Sequence, residues 1–502
     1  MRALLDAADA ACRAFAAATA LESPHAQLSY GELSERAEAI AGGLRAAGAQ
    51  ADEPIVLALS NRAPDWAGFI GIWRAGGVAV PLHRTTPTLA AAALLERCGA
   101  RFIVDCEPAL GAFPGAGGAG PTPTLRVLDR PAPPARPLLA GAALVVFTSG
   151  STGQPKGVVL SHAALAGKLA ANDRILGFGR ATRTLLVLQA TFSFGFWVSF
   201  LTLTRGGTLR VNEKFDVATA LAALAEHDIT TVALVPTMLR ALFAAAGHGD
   251  VVQAIAQINA RRRLSQLLAG GEPLGALLAQ RTRALFPCAA LYDIFGLTET
   301  ATSDFFLSPD EQPQADGSIG RPGPGVDFRI AGPDGAPVTA GIAGELQIRT
   351  PYAMNGYLDA PQLTADAFSD GYFRTGDSAR LRPDGTVELV GRIKEMIVRG
   401  GNKVAPLEIE QAFAAHPAVA ETLATGVPDA LLGERIHLLV VARPGASPAE
   451  AELRAWARER LEKFKQPDAY HYAAALPLGR TGKADRSRLR ELIVAGAPLA
   501  PG

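Results

Sequence analysis

The sequence predicts an α/β protein with a large N-terminal domain, made of α/β subdomains and a small β-rich subdomain, followed by a small α+β C-terminal domain. Three observations carry this expectation. Strand-like and helix-like patterns alternate through roughly the first 330 residues, as mostly parallel sheets with crossover helices require. Residues 318 to 392 shift to short strands broken by frequent Gly and Pro. Beyond residues 391 to 394 the chain resumes helix and strand patterns of its own, which divides it into domains 1–393 and 394–502.

The elements follow in order. Tyr30-Gly31-Glu32-Leu33 opens a helix that runs through Leu44, and residues 54 to 60 form a short buried strand. Residues 107 to 140, rich in Pro, Gly and Ala, read as a surface excursion. An apolar strand over residues 142 to 147 follows, and residues 231 to 235 pair a strand with a helix over 237 to 246. In the tail, Pro406-Leu407-Glu408 starts a helix, residues 436 to 442 form a strand, and residues 448 to 464 form a charged helix. No internal repeat occurs.

Bulk properties narrow the function. A chain of 502 residues exceeds one ordinary core. Hydrophobic residues at 49% and charged residues at 19% describe a well-buried globular enzyme. Lys plus Arg equals Asp plus Glu, at 48 each, so no global field favours nucleic acid or an anionic membrane. Arg261-Arg262-Arg263 reads as a solvated helix face. Cys12, Cys98, Cys106 and Cys288 lack metal or redox spacing and read as reduced, mostly buried thiols. Asp6, Asp9 and Arg13 interrupt any signal-peptide pattern. The most apolar stretch, residues 185 to 203, carries Gln189, Ser193 and Ser199, so no membrane span is expected. The chain's last residues match no lipidation or peroxisomal tail. A cytoplasmic monomer or homodimer is expected.

Chemistry concentrates in a few short segments. Thr148-Ser149-Gly150-Ser151-Thr152-Gly153, followed closely by Lys156 and Gly157, leaves an apolar strand and enters another apolar run. Glycines let backbone N–H groups curl around a polyphosphate, and Lys156 adds a mobile positive charge. A flexible linker is the bland alternative, but linkers rarely join two buried runs. The spacing is not that of a Walker loop, since Gly153 precedes Gln154-Pro155-Lys156. In Asp293-Ile294-Phe295-Gly296-Leu297-Thr298-Glu299, a hydroxyl beside a carboxylate suits a nucleotide: Thr298 for phosphate and Glu299 for Mg²⁺. Phe295 offers a ring for adenine, and Asp293 an acceptor for its exocyclic amine. Read alone, the Thr-Glu pair is usually just a helix start. Gly270-Gly271 reads as a turn. Asp377 can accept from two hydroxyls at once. Gly482-Lys483 reads as an exposed turn.

In this order, and over nearly the whole chain, these segments resemble the motifs of the adenylate-forming superfamily, which contains acyl-CoA synthetases, adenylation domains of nonribosomal peptide synthetases, and luciferases. Phe295 stands where the superfamily has Tyr. The resemblance implies ATP, Mg²⁺ and a thiol acceptor as reactants. It implies that Gly270 and Gly271 pack against substrate and adenine, that Asp377 takes the ribose hydroxyls, and that Arg392 contacts ribose or phosphate. It further implies that the C-terminal domain is mobile about Lys394. Rotation would exchange Lys483, which bridges carboxylate and α-phosphate, for the Gly400-Gly401 loop, which admits a pantetheine arm.

The acyl pocket is implied within residues 189 to 197. Phe192 aligns with an aromatic gate, and Ser193 stands where amino-acid-activating relatives carry Asp, which disfavours an α-amino acid. Phe192, Phe194, Phe196 and Trp197 either line an apolar slot for an aryl or medium acyl group or belong to the core. No Lys or Arg falls within 184 to 204, which disfavours a dicarboxylate such as malonate. No Asp-Ser-Leu carrier signature follows residue 400, so free CoA is the expected acceptor and a carrier protein in trans the alternative. A luciferase-like oxygenation is a remote alternative. A non-catalytic nucleotide-binding relative is disfavoured by the presence of Lys156, Glu299, Asp377 and Lys483 together.

Overall fold

Apolar runs with few polar interruptions form the centres of two large sheets. The computed structural model describes residues 2–107, 124–148, 155–246, 248–479 and 484–499. In one sheet the strands run in the order Gly356–Tyr357, Lys156–Ser161, Ala142–Thr148, Val78–His83, Pro54–Leu59, Phe102–Asp105 and Thr124–Val127. Its four central strands are parallel, and Pro54–Leu59 is buried at every position. Such continuous burial is what helices on both faces impose. The helix Tyr30–Ala46 starts at a capping box: the Ser29 hydroxyl accepts from the Glu32 N–H at 3.1 Å, and Glu32 Oε2 accepts from the Ser29 N–H at 2.7 Å. Leu33, Ala37, Ile40 and Leu44 form its buried stripe.

The second sheet orders its strands as Arg321–Pro322, Phe305–Leu307, Ala290–Phe295, Gln266–Gly270, Thr231–Leu234, Arg183–Leu186, Thr208–Val211, Thr19–Glu22 and Gln27–Ser29. From Ala290–Phe295 to Thr19–Glu22 all neighbours are parallel. Gly270 pairs with Ile294, so the Gly-Gly and Thr-Glu segments leave the carboxyl ends of adjacent parallel strands. Ligands of open α/β sheets bind at such ends. Asn61 ties the two sheets together: its Nδ2 donates to Leu188 O at 3.1 Å and Asn212 O at 3.0 Å, while its Oδ1 accepts from the Ala190 N–H at 3.1 Å.

Two smaller sheets follow. Asp327–Ala331, Gly344–Arg349, Tyr372–Leu381, Phe368–Ser369 and Val387–Arg392 form the β-rich part. Asn402–Val404, Ile397–Arg399, Gly433–Ala442, Val419–Asp429 and Ala469–Tyr472 form the last sheet, whose core includes Ile409 and Phe413 from the helix Pro406–Ala414 and Leu453 from Glu450–Arg460. The α/β class expected from the sequence is the observed one. One expectation needs correction. The excursion over 107–140 is not all surface loop, because Thr124–Val127 adds an antiparallel edge strand to Phe102–Asp105. Cys12, Cys98 and Cys106 are buried free thiols, and Cys288 is half-buried. Among the described residues no helix is long and apolar enough to cross a membrane.

His162 opens the helix His162–Leu176 and is only 1% exposed, with Trp73 edge-on at 5.4 Å. Neither ring nitrogen has a hydrogen-bond partner among the described residues. Burial, reinforced by Arg2, pushes its pKa down to about 3. The unfolded chain therefore takes up this proton first on acidification, and stability falls as pH drops from about 6.5 towards 3. His162→Phe is expected to leave the urea midpoint near pH 8 little changed. It should also reduce the acid-side slope of stability by up to about 1.4 kcal/mol per pH unit, read from urea melts between pH 6.5 and 4.

Candidate active site

Strand pairing brings the two ends of the Gly/Ser loop together. Thr148 closes the strand Ala142–Thr148 and lies directly opposite Lys156 on its antiparallel partner. Ser149, Gly150, Ser151, Thr152 and Gly153 lie outside the described residues. The Lys156 ammonium sits 5.1 Å from the centroid of the Tyr357 ring. Tyr357 belongs to the edge strand Gly356–Tyr357, which pairs with Lys156–Ser161, and its hydroxyl donates to Glu299 Oε1 at 2.9 Å. Burial, then the neighbouring carboxylate, pushes the Tyr357 phenol up, so it remains a donor at neutral pH. The backbone joins the same pieces, since the Met354 N–H donates to Glu299 O at 2.7 Å. Lys156 and Glu299, expected together from the sequence, thus meet through Tyr357. That residue was not legible, because Asn355-Gly356-Tyr357 reads only as a turn.

Thr298 begins the short 3₁₀ turn Thr298–Thr300, and its hydroxyl lies 3.0 Å from the Ser193 hydroxyl. The expected acyl and phosphate segments are therefore adjacent. Gly296 is required where it stands, because a Cβ there would lie 2.0 Å from the Ser303 nitrogen. At Gly270 a Cβ would lie 2.7 Å from Ile294 O and 3.3 Å from the Phe194 ring, so the bare backbone makes room for that ring. Phe194 stacks on Trp197 with centroids 5.9 Å apart. Phe192, at the start of the helix Ser193–Thr204, keeps 37% of its surface exposed.

Phe196, expected on the acyl slot, instead packs into the core. It meets Phe69 edge-on at 5.3 Å and Phe200 at 4.6 Å. Phe196 and Phe200 are four residues apart, on one face of the helix, and that face is turned to Phe69 and Trp73. Trp197 is also buried in the core, at 1% exposure, with the half-buried Phe194 stacked on it.

Asp293 is 6% exposed, and burial, with Asp316 adding to it, pushes its pKa up to about 8. Phe295 is half-buried, 6.1 Å from the Phe305 ring. Gly271 takes a left-handed φ of 86°, which turns the chain at the strand end. Asp377 lies opposite Arg392 in the antiparallel pair, and Arg392 Nε sits 2.8 Å from its Oδ1. Asp377 Oδ2 is buried without a hydrogen-bond partner among the described residues. Burial raises the Asp377 pKa to about 6, while Arg392 pulls it down; the charges of Lys394 and Glu299 also reach it. Lys394 is exposed in the turn Ile393–Glu395. Gly400 and Gly401, with φ of 56° and 83°, turn the hairpin between Ile397–Arg399 and Asn402–Val404. Lys483 lies outside the described residues.

Comparison with known proteins fits this layout. Residues 8–358 match the family of AMP-binding enzymes, and residues 408–483 match the AMP-binding enzyme C-terminal domain. A feruloyl-CoA synthase from Amycolatopsis is 32% identical over 492 residues, which cover 94% of this chain and 95% of that protein. A salicyl-AMP ligase / salicyl-S-ArCP synthetase from Mycobacterium tuberculosis is 31% identical, covering 95% of this chain and 87% of that protein. The crystal structure of ATP-bound MatB from Rhodopseudomonas palustris superposes with a TM-score of 0.81 at 26% identity, covering 94% of this chain and 95% of that one. The order of the motifs, the two-sheet scaffold and these full-length similarities agree, and the chain belongs to the AMP-binding enzyme family.

Proposed function

We propose that the protein is an ATP-dependent carboxylic acid–CoA ligase. A carboxylate attacks the α-phosphorus of ATP, giving an acyl-adenylate and pyrophosphate. The CoA thiol then attacks the mixed anhydride, giving the thioester and releasing AMP. The observation that carries this reading is the convergence of Lys156 and Glu299 on Tyr357, at strand ends that also present Thr298, which meets Ser193 at the head of a helix. A cation, a carboxylate and two hydroxyls in one place suit a polyphosphate next to an acid. Positioning and charge neutralisation are the main means by which a protein accelerates chemistry at phosphorus.

The remaining roles follow on that reading. Lys156 and the loop Thr148 to Gly153 hold the pyrophosphate end of ATP, and Thr298 the α-phosphate. The adenosine part lies against Gly271, Asp293, Phe295 and Gly296, with Asp377 and Arg392 at the ribose. Glu299 fits Mg²⁺: it is a hard oxygen donor whose Oε1 is oriented by Tyr357, and phosphate oxygens complete such sites. The ion, when bound, neutralises polyphosphate charge. Residues 1–393 and 394–502 act as two domains about Lys394, bringing Lys483 to the first step and Gly400 and Gly401 to the CoA step.

Phe192, Phe194, Trp197 and Gly270 surround the acid, which is aryl or medium-chain acyl. The Ser193 hydroxyl, engaged with Thr298, offers no anion for an α-ammonium group. The relatives named for feruloyl and salicyl acids support an aryl group. Free CoA is the acceptor. A carrier protein is the second reading, favoured by the carrier-loading relative. The protein works as a cytosolic monomer or homodimer.

The test is pyrophosphate exchange over benzoates, cinnamates, fatty acids and amino acids, followed by thioester formation with CoA. Exchange with aryl acids and discharge by CoA is expected; exchange confined to amino acids would overturn the reading of Ser193. Lys483→Ala is expected to slow adenylate formation by about 10²-fold or more while sparing thioester formation from supplied acyl-adenylate, because the loss falls on charge stabilisation in the first step. Asp377, with its pKa raised to about 6, is ionised above that value and neutral below it. KM for ATP should therefore rise as pH falls through about 6, and in Asp377→Asn it should be high and flat across the same range.

A further inference from the structure

Beyond Thr298-Glu299, the residues Ala301, Thr302 and Ser303 have φ of 58°, 63° and 57°. Non-glycine residues visit this left-handed region singly, and a β-branched threonine is especially disfavoured there. A run of three persists only where its surroundings over-determine it. Here the surroundings are specific. The Lys168 ammonium donates to Asp304 Oδ1 at 2.6 Å, with the two side chains 1% and 0% exposed. Asp304 Oδ2 accepts from the Thr300 hydroxyl and, at 3.4 Å, from the Leu297 N–H. Asn172 Nδ2 donates to Ser303 O at 3.1 Å. Lys168 and Asn172 stand four apart on the helix His162–Leu176, so one rigid face addresses the whole turn. The Asp304 N–H closes the turn onto Phe295 O at 2.7 Å.

A buried ion pair is a poor source of stability, because desolvating both charges offsets their attraction. Its value here is geometric. We propose that Lys168 and Asp304 are positioning residues: the pair pins the left-handed turn and thereby fixes the backbone from which Thr298 and Glu299 are presented. The proposal rests on the reading that these two residues serve adenylation. Neither Lys168 nor Asp304 touches the reacting atoms.

The test compares Lys168→Met with the double variant Lys168→Met/Asp304→Leu. The single variant leaves a buried carboxylate unpaired, so its urea midpoint should fall. The double variant removes both charges, and its midpoint should return to near the wild-type value. If the pair positions the Thr-Glu segment, kcat for pyrophosphate exchange in the double variant stays about tenfold or more below wild type, with KM for ATP changed much less. Amide hydrogen exchange over residues 297 to 304 should also accelerate while the rest of the chain is unaffected. Recovery of kcat together with stability, or unchanged amide exchange in that segment, would overturn the proposal. Should the double variant not fold, Asn172→Leu, which removes only the donor to Ser303, is judged by the same two readouts. If none of the acids supports pyrophosphate exchange by the wild-type protein, the ligase reading fails instead, and amide exchange alone then decides the positioning role.

Discussion

The hydrogen bond from Tyr357 to Glu299 is the joint on which the site depends. Tyr357 is an edge residue of one large sheet, while Glu299 sits just past the end of a central strand of the other. Neither sheet contains the site alone. One contributes Thr148 and Lys156; the other contributes Gly270, Asp293 and Thr298. A bond of 2.9 Å between them tolerates little sliding, and Asn61 adds three hydrogen bonds across the same divide. The apolar core beneath, with Phe69, Trp73, Phe196 and Phe200 interlocked, supplies the rigidity that makes those bonds meaningful.

Legibility followed the strength of the local signal. Strands 54–59 and 142–148 were readable because burial on both faces leaves long apolar runs. The edge strand at 124–127 was not, since Thr-Leu-Arg-Val between Pro-rich stretches offers only two apolar positions. Thr298, Glu299 and Asp377 stood out as candidates through the order and spacing of their motifs. Lys168 did not: a lysine within a helix ordinarily reads as solvated, and its partner Asp304 lies 136 positions away. Phe196 shows the opposite limit. Four aromatic residues in a row of six announce burial but cannot say which side of the helix meets core and which meets ligand.

The chain carries no net charge, but its interior holds several buried carboxylates. Asp293 and Asp377 both sit where burial raises their pKa, and each has a specific nearby charge that modulates it. Buried carboxylates with raised values cluster at functional sites because a polar ligand can repay the desolvation that protein neighbours leave uncompensated. The orphaned Oδ2 of Asp377 is such an unpaid group.

Asp377 also stands directly across the ladder from Arg392, two residues before Lys394. A ligand that donates to Oδ2 shares this carboxylate with the arginine that holds Oδ1 and leads into the proposed pivot. Linkage is reciprocal: if a nucleotide at this carboxylate alters the pair, rotation of the C-terminal domain in the proposed cycle alters nucleotide affinity by the same free energy. Occupancy and orientation then cease to be separate variables. On the proposed function, nucleotide release and domain rotation are then coupled through this one carboxylate.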